Sequence, residues 1–377
     1  MKIGIVCYPT FGGSGVVATE LGIALAQKGH EVHFITYSQP VRLDFFSERI
    51  FYHEVSVSDY PLFDFQPYEL VLTSKLVDVV EHEKLDLLHV HYAIPHASAA
   101  FMAKQILASK GIHIPFITTL HGTDITLVGR DPSFEPVITF AINESDAVTA
   151  VSESLKQDTY RHFAVSREIK VIPNFINLKE YNLPNPGCSR SMYASANEKI
   201  MIHISNFRKV KRVEDVLRVF ERVRREVPVK LILVGDGPER NNVERLCREL
   251  DTCNDIRMLG KVTNPEQVLS ISDLFLLTSE TESFGLAALE AMAARVPVIS
   301  TNTGGQPEVN IHGVTGYLSN IGDIEDMAKH AISILRDEKT LALFKANAYE
   351  QAKKFDVPLI LPMYEDLYQE VLQGQTI

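Results

Sequence analysis

The sequence predicts an α/β protein built as two doubly wound, parallel-sheet domains of Rossmann-like type. Three observations lead there. Short apolar runs of strand length alternate with helical patterns from end to end. The alternation stops once, around Asn174–Asn197, where Asn182-Leu-Pro-Asn-Pro-Gly187 is turn-rich and then polar, as a linker should be. At 377 residues the chain is also long for one domain.

In the first series the strand-like runs are Ile3–Cys7, Val32–Thr36, Phe51–Val57, Leu87–His91, Phe116–Leu120, Ala147–Val151 and Lys170–Ile172. Helical patterns at Thr19–Lys28, Tyr68–His82 and His96–Lys110 fall between them. The second series runs Ile200–Ser205, Leu231–Val234, Ile256–Leu259, Leu274–Thr278 and Val298–Thr301, with helices at Val213–Val227, Pro265–Ser270 and Phe284–Ala294. The two series share an architecture without a residue-level repeat. The tail Asp323–Phe355 reads as amphipathic helix. A proline-marked break at Asp356-Val-Pro358 and then Pro362 precede a last helix near Tyr364–Leu372. Two such domains imply a cleft facing the carboxyl ends of both sheets, and the motifs below all follow strands.

Composition narrows the function. With 45% hydrophobic and 23% charged residues the chain is globular, and its net charge of −11 argues against broad contact with a nucleic-acid backbone. Anionic ligands must instead be held by local donors. Cys7, Cys188, Cys247 and Cys253 make no CxxC pattern and suit reduced thiols in a cytoplasmic protein. The chain opens directly on a strand, and no apolar run reaches about 18 residues, so neither a signal peptide nor a membrane span is expected.

The most informative stretch is Ser279-Glu-Thr-Glu-Ser-Phe-Gly-Leu-Ala-Ala-Leu-Glu290, which runs from a buried strand into an Ala-rich helix. Ser283 reads as the N-cap, leaving the amides of Phe284, Gly285 and Leu286 open to an anion. Glu282 and Glu290 bracket that helix start. A sugar nucleotide satisfies all three features, its phosphate on the helix end and its hydroxyls on the two glutamates. Two solvated glutamates on an ordinary strand–loop–helix are the plainer alternative.

Ser205-Asn-Phe-Arg-Lys-Val-Lys-Arg212 closes the first strand of the second series and packs four cations into five positions. A diphosphate needs such fixed positive charge. Phe11-Gly-Gly-Ser-Gly15 follows the first strand of the chain. Gly13-Ser-Gly15-Val-Val-Ala18 fits the dinucleotide fingerprint, but the loop before it is long and the second strand ends without an acid for a ribose, which argues against NAD. His89 and His91 alternate onto one strand face ahead of Tyr92. They could bind zinc, yet no third ligand is implied, so no metal is expected. Thr118-Thr-Leu-His-Gly-Thr-Asp124 brings Thr119 and His121 to the end of another strand, with Asp124 able to orient the imidazole. Val234-Gly-Asp-Gly-Pro238, Leu259-Gly-Lys-Val262 and Thr303-Gly-Gly-Gln-Pro-Glu308 are further turns after strands, and Gly235 would admit a ligand to the backbone.

Glu282 and Glu290, with seven residues between them, and Arg208 and Lys211 in an S-x-x-R-x-x-K pattern, resemble the retaining glycosyltransferases of the GT-B fold, family 4. The resemblance runs over nearly the whole chain. It implies domains of 1–168 completed by a crossover helix in 357–377, and of 169–356. It implies that Glu282 and His121 contact the donor sugar, that Glu290 holds the ribose, and that Arg208 and Lys211 hold the diphosphate. The remaining donor contacts implied are Gly13, Ser14, Asn206, Gly235, Lys261, Val262, Ser283, Phe284, Gly285 and Leu286. The implied mechanism is a front-face transfer without a metal, in which the leaving phosphate takes the acceptor proton. Ile3–Ala18 and His89–His96 are similar to the branch of this family that takes UDP-N-acetylglucosamine as donor and L-malate as acceptor, whereas related members use an inositol phosphate. Ser14, Tyr92, Thr119 and His121 could then donate to the dicarboxylate, and Arg42, Lys104 or Arg130 could supply a cation. Other GT-B activities, such as a UDP-N-acetylglucosamine 2-epimerase or a phosphorylase, fit the paired motifs less well. A sugar-nucleotide sensor without turnover is the alternative outside enzymes, and assembly of identical copies is left open.

Overall fold

Why the strands are so uniformly apolar is explained by how they pair. In the first sheet β1 (Lys2–Val6), β2 (Glu31–Thr36), β3 (Ile50–Glu54), β4 (Leu87–His91), β5 (Phe116–Leu120), β6 (Ala147–Ala150) and β7 (Ile169–Val171) run in the order β3-β2-β1-β4-β5-β6-β7. Every pairing is parallel. All residues of β4 and β5 are buried, as expected for strands covered by helices on both faces. The second sheet has β8 (Lys199–Ile204), β9 (Val229–Val234), β10 (Ile256–Gly260), β11 (Leu274–Leu277), β12 (Val298–Thr301) and β13 (Gly316–Ser319), in the order β10-β9-β8-β11-β12-β13, again all parallel.

The computed structural model describes residues 1–10, 12–43, 48–57, 66–181 and 189–374, apart from the side chains of Leu127 and Arg130. Phe11 and the turn-rich 182–187 with Cys188 lie outside the described residues. The chain divides into two units, Met1–Asn174 with Pro358–Ile377, and Phe175–Val357. The change of unit falls a few residues after the expected 168, because β7 pairs with β6 through Val148↔Ile169 and Ala150↔Val171.

Local sequence accounts for the helices. In Val213–Arg224 the residues Val213, Val216, Leu217, Phe220 and Val223 repeat at helical spacing and are all buried. Acids occupy its first turn and arginines its last, in line with the helix dipole. The helix Gly13–Gln27 begins six residues before the expected Thr19, so the glycine-rich loop is its first turn. The tail is two helices, Ile324–Leu335 and Glu338–Ala352, each started by an aspartate accepting a backbone N–H. The last helix is continuous from Val357 to Leu372 with Pro362 inside it, where the proline removes only one hydrogen bond near the start. The strand β13 was not expected. Cys247 and Cys253 are bonded across six residues rather than reduced. Among the described residues no helix is long and apolar enough to cross a membrane.

In each sheet the strand order reverses once, between β1 and β4 and between β8 and β11. At such a point consecutive loops leave in opposite directions and open a crevice beyond the carboxyl ends of the strands.

Candidate active site

In the second unit, the loops after β8 and β11 are tied to each other across the reversal. Glu280 N–H donates to Val210 C=O at 2.8 Å, and the Thr278 hydroxyl lies 3.0 Å from the carbonyls of Lys211 and Arg212. Arg212 adds an ion pair to Glu280 at 3.0 Å. This frame sets Lys211 Nζ 2.5 Å from Glu282 Oε1, which also accepts the Ser279 hydroxyl at 2.8 Å. Glu282, expected against a sugar, is thus also the partner of Lys211. Arg208, by contrast, is exposed and has no ion-pair partner among the described residues.

Beneath them His203 bridges the same two strands. Its Nδ1–H donates to Leu276 C=O at 2.9 Å, and its Nε2 accepts the Ser205 hydroxyl at 2.7 Å. Burial pushes its pKa down to about 4, so the ring is neutral. The sequence reading missed this histidine, although it stands two residues before Ser205 on a period-2 strand.

The helix Leu286–Ala293 is capped by Gly285 at φ +92, not by Ser283. Its first turn carries no acid, and the N–H groups of Phe284, Gly285 and Leu286 make no backbone hydrogen bond among the described residues. The helix end is therefore open to an anion. Glu290 lies about 6 Å further along the axis and is half-buried. Phe284 turns its side chain inward against Phe355. The loop after β12 braces this start: Gly305 N–H donates to Glu282 C=O at 2.9 Å, and a Cβ on Gly304 would lie 1.9 Å from that same oxygen. Gln306 is fully buried, and its side-chain nitrogen and oxygen have no partner among the described residues.

Gly235 stands at φ +121, and a Cβ there would fall 1.7 Å from Ser205 C=O, so its backbone packs closely on the loop carrying Arg208 and Lys211. Asn206 and Lys261 are exposed and Val262 is half-buried, beside the Gly235 N–H to Gly260 C=O bond of 2.7 Å.

The first unit repeats the plan. Tyr92, after β4, donates its hydroxyl to Ser14 Oγ at 2.6 Å, across the reversal from β1. Tyr92 is held at φ +87, a conformation that costs a non-glycine residue about 1–3 kcal/mol and marks sites where surrounding structure imposes it. Gly13 is exposed and Ser14 half-buried at the start of the helix Gly13–Gln27, whose first turn lacks an acid. His121 Nε2 meets His91 Nδ1 at 2.7 Å. His91 Nε2 is buried without a partner among the described residues. A bare acceptor is less costly there than an unmet N–H, so His91 is the donor and His121 carries its proton on Nδ1. Burial holds the pKa of His121 down to about 3. Asp124 accepts the N–H groups of Ala93 and Gly122 at 2.9 and 3.0 Å, and burial lifts its carboxyl to about 6 in spite of them.

Thr119 is not open to an acceptor. It is fully buried, with its hydroxyl 2.7 Å from both His89 Nε2 and Thr149 Oγ1, and His89 Nδ1 lies 2.7 Å from the Tyr368 hydroxyl. Of the three cations considered for the acceptor, Lys104 is engaged by Asp146 at 2.7 Å, at the amino-terminal end of β6 and away from the motifs. Arg42 lies 3.7 Å from Glu20, and the Arg130 side chain lies outside the description.

Two family models match the chain, Glycosyltransferase Family 4 over residues 11–180 and Glycosyl transferases group 1 over residues 190–351. Over 375 residues it is 48% identical to the N-acetyl-alpha-D-glucosaminyl L-malate synthase of Bacillus anthracis, an alignment covering 99% of this chain and 98% of that protein. The chain belongs to glycosyltransferase family 4. Its fold is that of the GT-B members: the Anabaena protein HepE, solved with UDP and glucose, aligns with a TM-score of 0.82 at 21% identity over 98% of this chain and 99% of that one. Sucrose-phosphate synthase from Thermosynechococcus elongatus aligns at 0.81 and 20% identity over 99% and 100%. As a family 4 hexosyltransferase the chain carries its two motif sets at the reversal point of each sheet.

Proposed function

We propose that this protein is a retaining transferase that moves N-acetylglucosamine from UDP-N-acetylglucosamine to the hydroxyl of L-malate, the first step of bacillithiol synthesis. The observation that carries the choice of substrates is the 48% identity, along nearly the full length of both chains, to an N-acetyl-alpha-D-glucosaminyl L-malate synthase. The second unit takes the donor and the first unit the acceptor in this reading. A cytoplasmic setting fits it.

The chemistry follows from the groups available. Charge builds on the leaving diphosphate as the bond to the anomeric carbon breaks, and catalysis requires donors already aimed at that charge. Arg208, Lys211 and the amides of Phe284 to Leu286 are such donors. When Lys211 turns to the phosphate it releases Glu282 to accept a hydroxyl of the sugar. Glu290, further along the same helix, takes the ribose, and the stretch at Lys261 and Val262 takes the base. His121, neutral and protonated on Nδ1, donates to the sugar rather than acting as an acid. The malate hydroxyl proton goes to the leaving phosphate oxygen, so no protein base and no metal enters the step. Ser14 and Tyr92 offer hydroxyls to the malate carboxylates.

Incubation with UDP-N-acetylglucosamine and L-malate, followed by mass spectrometry, tests the proposal. UDP and an α-linked N-acetylglucosaminyl malate should appear together, with or without EDTA. UDP release with an inositol phosphate but not with malate would replace the acceptor, and donor binding without product from any hydroxy acid or polyol would favour a sensor.

A further inference from the structure

His33 on β2, His53 on β3 and Glu83 at the end of the helix Tyr68–Glu83 bring one ligand atom each to within 4.8 Å of one another. His33 Nδ1 and His53 Nε2 face each other at 2.9 Å. None of the three belongs to the transfer site. Glu83 lies where its helix leads into the start of β4, whereas Tyr92 follows the end of that strand, about 13 Å away at the rise of a parallel strand.

We propose that His33, His53 and Glu83 form a binding site for a borderline divalent cation of the Zn2+, Co2+ or Ni2+ class. The donor set, two imidazole nitrogens and one carboxylate oxygen, is that of a three-ligand site whose remaining positions go to water. Tetrahedral zinc with bonds of about 2.0–2.1 Å places two nitrogens about 3.3 Å apart, so the rings need to part by only a few tenths of an ångström.

The surroundings are those of a metal ligand. His33 Nε2 lies 3.2 Å from Glu31 Oε1, which in turn is held by Lys2 at 2.7 Å. This fixes the His33 proton on Nε2 and leaves Nδ1 as a lone pair, the carboxylate–histidine arrangement that orients ligating imidazoles. Phe51 stacks on the His33 ring with centroids 4.7 Å apart, limiting its rotation. In the metal-free state the one bond between them is His53 Nε2–H to His33 Nδ1. Metal entry moves that proton to His53 Nδ1 and frees Nε2, with no net proton released. The ion would clip the edge strand β3 and the end of a helix onto β2, away from the sugar chemistry.

Titration of the untagged, metal-stripped chain with Co2+, read by its visible absorption, tests the site. One equivalent should bind and give ligand-field bands, which Zn2+ displaces. His53→Gln and Glu83→Gln should each weaken uptake by at least about tenfold, and Glu31→Gln by about 10- to 100-fold through loss of orientation of His33. Zn2+ should raise the thermal midpoint of the wild-type chain and not that of His53→Gln. Unchanged sugar transfer in these variants would show that they are folded. The proposal is overturned if the stripped chain gives no Co2+ bands, or if His53→Gln and Glu83→Gln both keep them unaltered.

Discussion

Lys211 Nζ lies 2.5 Å from Glu282 Oε1, joining the loop after β8 to the loop after β11. Tyr92 and Ser14 make the corresponding bond in the first unit, joining the loops after β4 and β1 at 2.6 Å. Both bonds span the place where strand order reverses. The Lys211 pair sets a cation against an anion, whereas the Tyr92 pair is uncharged.

Replacing Lys211 by Ala should lower kcat by about 10²–10³-fold, as loss of one preorganised donor to developing charge does elsewhere. UDP affinity should change little, because the lost contact strengthens only as the bond breaks. Steady-state kinetics with calorimetric UDP binding separates the two. A variant with normal kcat and weakened UDP binding would reduce Lys211 to a ground-state contact. The double variant with Glu282→Ala should cost less than the product of the single effects, since the two residues share one interaction.

Glu290→Ala should weaken UDP itself. A hydrogen bond to a charged group is worth about 1.5–3 kcal/mol, so UDP affinity should fall by about 10- to 100-fold. Equal UDP affinity in the variant and the parent would remove the ribose assignment.

The contrast between what the sequence conveyed and what it did not has a physical basis. Glu282, Glu290, Arg208 and Lys211 are legible because their spacing is local and sits at strand ends. The strands are legible because burial on both faces leaves continuous apolar runs. Gly316–Ser319 escapes because four residues opening on glycine carry no such run. Thr119 looked accessible as a strand-end hydroxyl, but His89 covers it, and His89 is bonded to Tyr368, 279 residues later in the chain. At Gly235 glycine marks close approach without saying to what, and the neighbour within the fold is Ser205. The left-handed glycine cap of Leu286–Ala293 displaced the expected serine for the same reason: a polar side chain before a helix is a cap only if the backbone turns there.

Gly235→Ala and Gly260→Ala form a matched pair. Both glycines have positive φ, +121 and +68, but a Cβ on Gly260 meets nothing within 4 Å, while one on Gly235 meets Ser205 C=O. Gly260→Ala should therefore cost only the left-handed penalty of about 1–2 kcal/mol. Gly235→Ala should cost more and should also slow transfer, by shifting the loop that presents Arg208 and Lys211. Thermal unfolding and turnover of the two variants give the comparison. Equal losses would show that the Ser205 contact yields without consequence.

His203 should make the protein sensitive to acid. Its pKa falls from the ordinary 6.5 to about 4 because burial disfavours the imidazolium. Between those values the unfolded chain binds a proton that the folded chain does not, so stability is full above about pH 6.5 and declines as pH falls. From pH 6.5 to 5 one such group removes up to about 2 kcal/mol, at 1.36 kcal/mol per unit. His89, His96 and His121, held down to about 3, about 4 and about 3, act in the same direction. Asp124 acts oppositely, since its raised carboxyl gains stability from protonation below about 6. These imidazoles together outweigh one carboxyl, and the net slope should be a loss toward acid. Denaturant unfolding at pH 7 and pH 5 measures it. His203→Gln, which can still bond Leu276 and Ser205 but takes up no proton, should lose less between those two values than the parent. Parallel losses in the two proteins would mean that His203 takes up its proton in the folded chain as readily as in the unfolded one, against the burial that defines its site.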